Sequence, residues 1–101
     1  MSYLRVVSYD GDEMTDAQFE VWEEIVGAYL RGNPDCIRAK AAKSGGTTLI
    51  VSEWTSEEAH QTDMASHEYQ TVMSNITTKL SIPPDLEPTF LFEGDVKVDV
   101  S

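Results

Sequence analysis

Thr47-Thr48-Leu49-Ile50-Val51-Ser52-Glu53-Trp54, followed at once by Thr55-Ser56-Glu57-Glu58, is the stretch on which the fold turns. The first eight residues are largely β-branched or apolar and follow Ser44-Gly45-Gly46, a tight-turn sequence, so they read as a strand. The next four read as a helix start. Ser56 offers an acceptor to a free backbone N–H of the first turn, and Glu57 and Glu58 favour the positive end of the helix dipole. On a helical wheel with Ala59 at zero, Thr62, Ala65, Ser66, Tyr69, Val72, Met73, Ile76 and Leu80 share one face. Glu57, His60, Met64, His67 and Glu68 fall opposite or to the side, so the spacing predicts one amphipathic helix ending near Leu80.

Working outward, Ser44-Gly45-Gly46 joins this strand to an earlier one, Asp35-Cys36-Ile37-Arg38-Ala39-Lys40-Ala41, as a hairpin. Alternation there puts Ile37, Ala39 and Ala41 on one face and Cys36, Arg38 and Lys40 on the other. Before it, Gly32-Asn33-Pro34 ends a helix, because glycine tolerates a left-handed cap and proline cannot continue the ladder. That helix starts at Thr15 or Asp16 and runs to about Arg31, with Phe19, Trp22, Val26 and Tyr29, joined by Ile25 and Leu30, as its apolar stripe. The chain opens on a strand, Tyr3 to Tyr9, ended by Asp10-Gly11-Asp12. At the far end, Ser81-Ile82-Pro83-Pro84-Asp85 is a stiff loop and Thr89-Phe90-Leu91-Phe92-Glu93 a fourth strand. Gly94 and Asp95 interrupt it, and Val96-Lys97-Val98-Asp99-Val100 resumes alternation as a tail strand. The order βαββαβ is the α+β, ferredoxin-like arrangement, an antiparallel sheet with two helices on one face. The other face keeps apolar residues that something must shield, and self-association is the economical answer.

With 101 residues the chain suits a single domain, 1–101, with no internal repeat. Seven basic against eighteen acidic residues give a net charge of −11, which repels phosphate backbones and anionic membrane surfaces. No nucleic acid or membrane partner is expected. No apolar run approaches the about 20 residues needed to cross a bilayer. One cysteine, Cys36, forms no internal disulfide and the opening residues form no leader, so a cytoplasmic location is expected.

The topology and the pattern Ile50-Val51-Ser52-Glu53-Trp54-Thr55-Ser56-Glu57-Glu58-Ala59, followed by Met64-Ala65-Ser66-His67-Glu68-Tyr69, resemble the antibiotic biosynthesis monooxygenase-like, or dimeric α+β barrel, domains. Asn33-Pro34-Asp35 stands where that family usually has asparagine or histidine, then proline and glycine. The resemblance covers nearly the whole chain. It implies a homodimer whose two sheets pair into a barrel, with small-molecule pockets between helices and sheet. It does not by itself confer a reaction, since such domains include cofactor-independent oxygenases of aromatic polyketides, haem-degrading enzymes, quinone-handling enzymes and members without activity. The haem-degrading pattern needs an asparagine late in the first strand, a tryptophan where Asp63 stands and a histidine where Met73 stands, and this chain has none of them. No cofactor is therefore expected.

Candidate site residues follow from these placements. Asp63 stands where many relatives carry a pocket histidine and is a candidate catalytic acceptor or base; either histidine, His60 or His67, could act as a general base because histidine titrates near neutral pH, and His67 is the second catalytic candidate. His60, Asp63 and His67 are spaced for a metal triplet, but their face lies away from the apolar stripe, where a solvated helix surface needs no metal. Both histidines accordingly read as exposed, and no metal is expected. Trp54, Tyr69 and Met73 are candidate walls of an aromatic substrate pocket or, equally in keeping with their spacing, core residues. Arg38 is a candidate substrate contact; Arg38 and Arg5 both read first as partners of carboxylates. Cys36 reads as a buried, inert thiol, and Asn75-Ile76-Thr77 as a chance glycosylation match. Two functions stay open. One is a cofactor-independent monooxygenase-like enzyme acting on a small aromatic or quinone-type molecule. The other is a non-catalytic dimeric binding or stress-related module.

Overall fold

Tyr3–Asp10 (β1) lies inside a four-stranded sheet, with Thr47–Trp54 (β3) antiparallel on one side and Thr89–Asp95 (β4) antiparallel on the other. Cys36–Ser44 (β2) pairs antiparallel with β3, so the order is β2-β3-β1-β4. The computed structural model describes residues 2–10, 14–80 and 89–100. The expected fold class stands: an α+β, ferredoxin-like chain with its helices on one sheet face. The turn between β2 and β3 is made by Gly45 and Gly46 at φ +56° and +86°, the region open to glycine. The expected proline loop, Ser81 to Asp85, lies outside the described residues.

The first crossover is one helical rod in three stretches: Asp16–Trp22 (α1), a π-helical turn at Glu23–Gly27, and Ala28–Arg31 (α2). Thr15 and Gln18 close a capping box at its start. Its expected span is correct, but the π turn has no signature in the apolar spacing, and Gly32 caps the end at φ −81°, right-handed rather than left-handed.

The second crossover departs from expectation. The single helix to Leu80 is two, Glu57–Met64 (α3) and His67–Lys79 (α4), because the chain breaks at Ala65 and Ser66. Ser56 caps α3 by accepting from the Ala59 N–H. Ser66, placed on the apolar face by the wheel, is instead the cap of α4: it accepts from the Tyr69 N–H at 3.1 Å and donates its hydroxyl to the Asp63 carbonyl at 2.6 Å. The break resets the wheel. In α3 it is His60 and Asp63 that are buried while Thr62 is exposed, whereas in α4 the expected face holds, with Ile76 buried and Val72 and Met73 packed beside it. Val26 of the rod, Ile76 and Leu80 form the core between the two crossovers, and Met14, Val21, Trp22, Ile25 and Leu30 close around them.

Strand register sorts the sheet residues. Tyr3, Arg5, Val7 and Tyr9 oppose Trp54, Ser52, Ile50 and Thr48, so all eight face the helices. A register shift between Cys36 and Arg38 makes Ile37 the extra residue of a bulge, which separates it from the face it was expected to share with Ala39 and Ala41. Leu4 and Val6 with Glu53 and Val51 point the other way, and Phe92, opposite Val6, is 54 % exposed there. Among the described residues no helix covers that face. β4 runs through Gly94 and Asp95 rather than stopping at Glu93, and residues 96–100 form no strand, although the Val96 N–H donates to the Ser2 carbonyl at 2.8 Å.

Candidate functional site

Alternation along β1 sets Tyr3, Arg5 and Tyr9 on the helix side, and β4 places Glu93 opposite Arg5. The Arg5 Nε–H donates to Glu93 Oε1 at 2.9 Å, the carboxylate pairing expected of Arg5. Over this pair comes α3. His60 is 4 % exposed, its ring edge-on to Trp54 at a centroid distance of 4.9 Å and tilted against Tyr3 at 6.0 Å. Trp54, 3 % exposed, donates its indole N–H to Ser52 Oγ at 3.0 Å. The histidine expected on the outside is therefore inside. The reason is the break at Ser66, which frees α3 to take its own rotation over the sheet.

Arg5 is the electrostatic centre of this region. Burial lowers the pKa of His60, and the Arg5 charge lowers it further against the opposing pull of Glu93 and Asp63, so the imidazole is neutral at physiological pH. Burial first, then the hydrogen bond and charge of Glu93, push Tyr3 up to about 12. Tyr9 and Tyr69 are both raised, chiefly by burial, with Arg5 opposing. One cation thus acts on three tyrosines and one histidine, all in their neutral forms at pH 7. Such a set can hold an oxyanion against Arg5, donate the phenolic O–H groups of Tyr9 and Tyr69 to it and accept a proton at His60, while the Tyr3 O–H is engaged by Glu93.

Asp63 forms a separate locus. It is 9 % exposed, and its Oδ1 accepts from the Tyr29 hydroxyl and from Asn33 Nδ2 at 3.0 Å. Burial and this hydrogen bond push Tyr29 up to about 12. The bonds tie the end of the rod to the α3–α4 junction, beside a surface groove lined by Pro34, Asp35, Thr62 and Glu68.

The expected site residues are not brought together as one site. Trp54 and Tyr69 lie on the helix side of the sheet region around Arg5, and Asp63 touches that region through its charge. Met73 packs into the core between the crossovers. His67 is exposed at the first residue of α4. Arg38 pairs with Glu53 at 3.1 Å on the opposite sheet face, where Ser2 Oγ also donates to Glu53. His60, Asp63 and His67 do not share one face, and among the described residues no three such side chains converge on a metal position. The haem pattern does not fit: Asp63 is held by Tyr29 and Asn33, and Met73 is core. Sequence reasoning missed Tyr3, Tyr9 and Tyr29 as site residues, weighed His60 as a base but placed it on the exposed side, and gave Arg5 no central role. The usable signal was the two-residue period that puts Tyr3, Arg5 and Tyr9 on one side.

No protein-family model matches the sequence, and no curated protein does. Solved structures do match in fold. SnoaB, a cofactor-independent oxygenase from Streptomyces nogalater, in a mutant form, superposes with a TM-score of 0.70 at 12 % identity, over 98 % of this chain and 96 % of that one. An antibiotic biosynthesis monooxygenase gives 0.61 at 17 % identity, over 92 % and 97 %. An ethyl tert-butyl ether d (EthD) family protein from Bacillus halodurans gives 0.61 at 17 %, over 95 % and 99 %. The resemblance seen in the residues is thus met at the level of the fold: the chain has the fold of antibiotic biosynthesis monooxygenase-like domains across nearly its full length. Among the described residues no helix is long and apolar enough to cross a membrane.

Proposed function

We propose that this chain is a cofactor-independent, monooxygenase-like protein that takes a small aromatic or quinone-type molecule between the α3–α4 crossover and the sheet, and that it works as a homodimer. The observation that carries the reading is the neutral, buried His60 beside the Arg5–Glu93 pair and the ring of Tyr3, Tyr9 and Tyr69. The shared fold with a cofactor-independent oxygenase supports it as well. In this reading the substrate is a carbon acid that becomes an aromatic oxyanion. His60 takes the proton, and Arg5 with the protonated Tyr9 and Tyr69 stabilises the negative oxygen. The anion gives one electron to dioxygen, the two radicals couple to a peroxide at the same carbon, and water leaves, so that a ring methylene and dioxygen become a ring carbonyl and water. Trp54 and Tyr69 supply aromatic walls. His67 has no part in the proton transfer, and Asp63 acts by holding the crossovers in register.

The open sheet face supports the homodimer in this reading: among the described residues no helix covers Leu4, Val6, Val51 and the 54 %-exposed Phe92. The direct test is oxygen uptake with reduced quinones and polyphenols, in the native chain and in His60→Gln. Loss of the base should slow turnover about 10²–10⁴-fold. An unchanged rate would remove His60 from the mechanism, and saturable binding with no oxygen uptake would leave a binding module.

A further inference from the structure

A second cleft lies elsewhere in the helical layer, between the rod and edge strand β2, with a volume of about 390 Å³. It exists because β2 turns only the methyl groups of Ala39 and Ala41 toward a rod that presents Phe19, Trp22 and Leu30. Larger side chains at those two strand positions would narrow it. The volume lies within the range of small-molecule sites, roughly 300–1,000 Å³, and the walls are the aromatic and aliphatic kind such sites use.

The π turn adds to the shape. Its last residue, Gly27, is buried, and a Cβ there would lie 3.2 Å from Glu23 Cγ and 3.4 Å from Arg31 Nη1, so the missing side chain lets the Arg31 guanidinium lie against the rod at the cleft. π turns within α-helices are found mostly at functional sites. Arg38 borders the same cleft, but its guanidinium is paired with Glu53 at 3.1 Å on the opposite sheet face. Arg31, one of seven cations in a chain of net charge −11, therefore stands at an apolar opening. It is exchangeable. Arg31 meets Glu23 only at 3.6 Å, with both side chains about two-thirds exposed, and an ion pair of that kind holds little energy. A planar guanidinium presents paired donors to a carboxylate, which an exposed partner at 3.6 Å does not satisfy.

We propose that this cleft is a second small-molecule site, distinct from the Arg5 region, for a flat aromatic monocarboxylate whose ring enters between Phe19, Trp22 and the Ala39–Ala41 strand and whose carboxylate meets Arg31. The probe is 2-naphthoate, titrated calorimetrically into the intact protein, with 2-naphthamide as the uncharged control. Binding of naphthoate is expected at micromolar to millimolar concentration. Ala41→Leu fills the floor and should weaken binding at least tenfold without lowering the melting temperature. Arg31→Gln should weaken naphthoate at least tenfold and leave naphthamide unchanged, whereas His60→Gln should change neither. Cys36, which lines the cleft, gives a reading on the unmutated chain: naphthoate should slow its alkylation by a maleimide. No binding by the native chain, unaltered binding in Ala41→Leu, or equal loss in His60→Gln would each overturn the proposal. If Ala41→Leu fails to fold, unprotected Cys36 at saturating naphthoate does the same.

Discussion

Replacing Tyr29 by phenylalanine removes one oxygen from the junction of the two crossovers. The Tyr29 hydroxyl donates to Asp63 Oδ1, which also receives Asn33 Nδ2 at 3.0 Å, and Asp63 is 9 % exposed. A hydrogen bond to a charged group contributes about 1.5–3 kcal/mol, and because Asn33 stays in place the loss should sit near about 2 kcal/mol. A domain of this size loses about 4–8 °C of melting temperature per kcal/mol, so Tyr29→Phe should melt about 8–16 °C lower. Asp63→Ala removes both bonds and leaves two donors without their acceptor, which should cost about 3 kcal/mol. The double variant should cost little more than Asp63→Ala alone, a coupling of about 1.5 kcal/mol or more. The pair also predicts a pH dependence. Tyr29 is pushed up from 10.0 to about 12, so the folded chain keeps a proton that the unfolded chain loses. Its contribution is fully present below pH 10 and disappears as pH rises toward 12, by at most about 2.7 kcal/mol for two pKa units. Urea denaturation of the four chains at pH 7 and pH 11 reads both effects. If the single losses simply add, or if Tyr29→Phe changes stability by less than about 0.5 kcal/mol at pH 7, the junction is not held by this pair. Oxygen uptake kept by Asp63→Asn below its melting range would mark Asp63 as a positioning residue.

Three further outcomes are expected. The pKa of His60 is lowered from 6.5, so its folded form carries fewer protons than the unfolded chain below that value. Stability should therefore fall as pH drops below about 6.5, and turnover should rise with pH to a plateau already reached near neutrality, as stopped-flow pH profiles would show. Gly45 sits at φ +56° with nothing within 4 Å of a Cβ, so Gly45→Ala should cost about 1–2 kcal/mol from the backbone alone, while Gly45→Asn should cost less by thermal denaturation. Light scattering of the native chain should give twice 11.3 kDa, and Phe92→Asp, a charge on the open face, should return the mass to the monomer; a native monomer would remove the paired sheets.

The parts of the fold legible from sequence are those written in local chemistry. Thr47–Trp54 is found to the residue because Gly45 and Gly46 bound it on one side and the Ser56 cap bounds the next helix. The break between α3 and α4 uses the same chemistry, Ser66 ahead of Glu68, but Ser66 also fits the apolar wheel, and a continuous wheel hides a cap inside it. Once that break is missed, the inner face of α3 is misassigned, although Glu57 is exposed as expected. His60 is read as solvated and Thr62 as buried, and both are reversed. The bulge at Ile37 has the same character: one extra residue moves Ile37 off the face of Ala39, and no residue type announces it.

The site was hidden for a different reason. In a chain with eighteen acids and seven cations, an arginine on a strand is expected to meet a carboxylate, and Arg5 does meet Glu93 at 2.9 Å. That expectation treats pairing and substrate contact as alternatives. Around Arg5 they are compatible, because the carboxylate fixes the guanidinium while Tyr3, Tyr9, Tyr69 and His60 are brought to it by β1 alternation, α3 rotation and α4 packing. Only the first of these three is written in the local sequence. A cation already held in place costs little reorganisation when a negative oxygen develops beside it, which is the property an anion-stabilising site requires. Removing Glu93 should therefore weaken the site more than neutralising an idle partner would: Glu93→Gln keeps the shape, removes the carboxylate charge beside Arg5, and should lower kcat more than it raises KM.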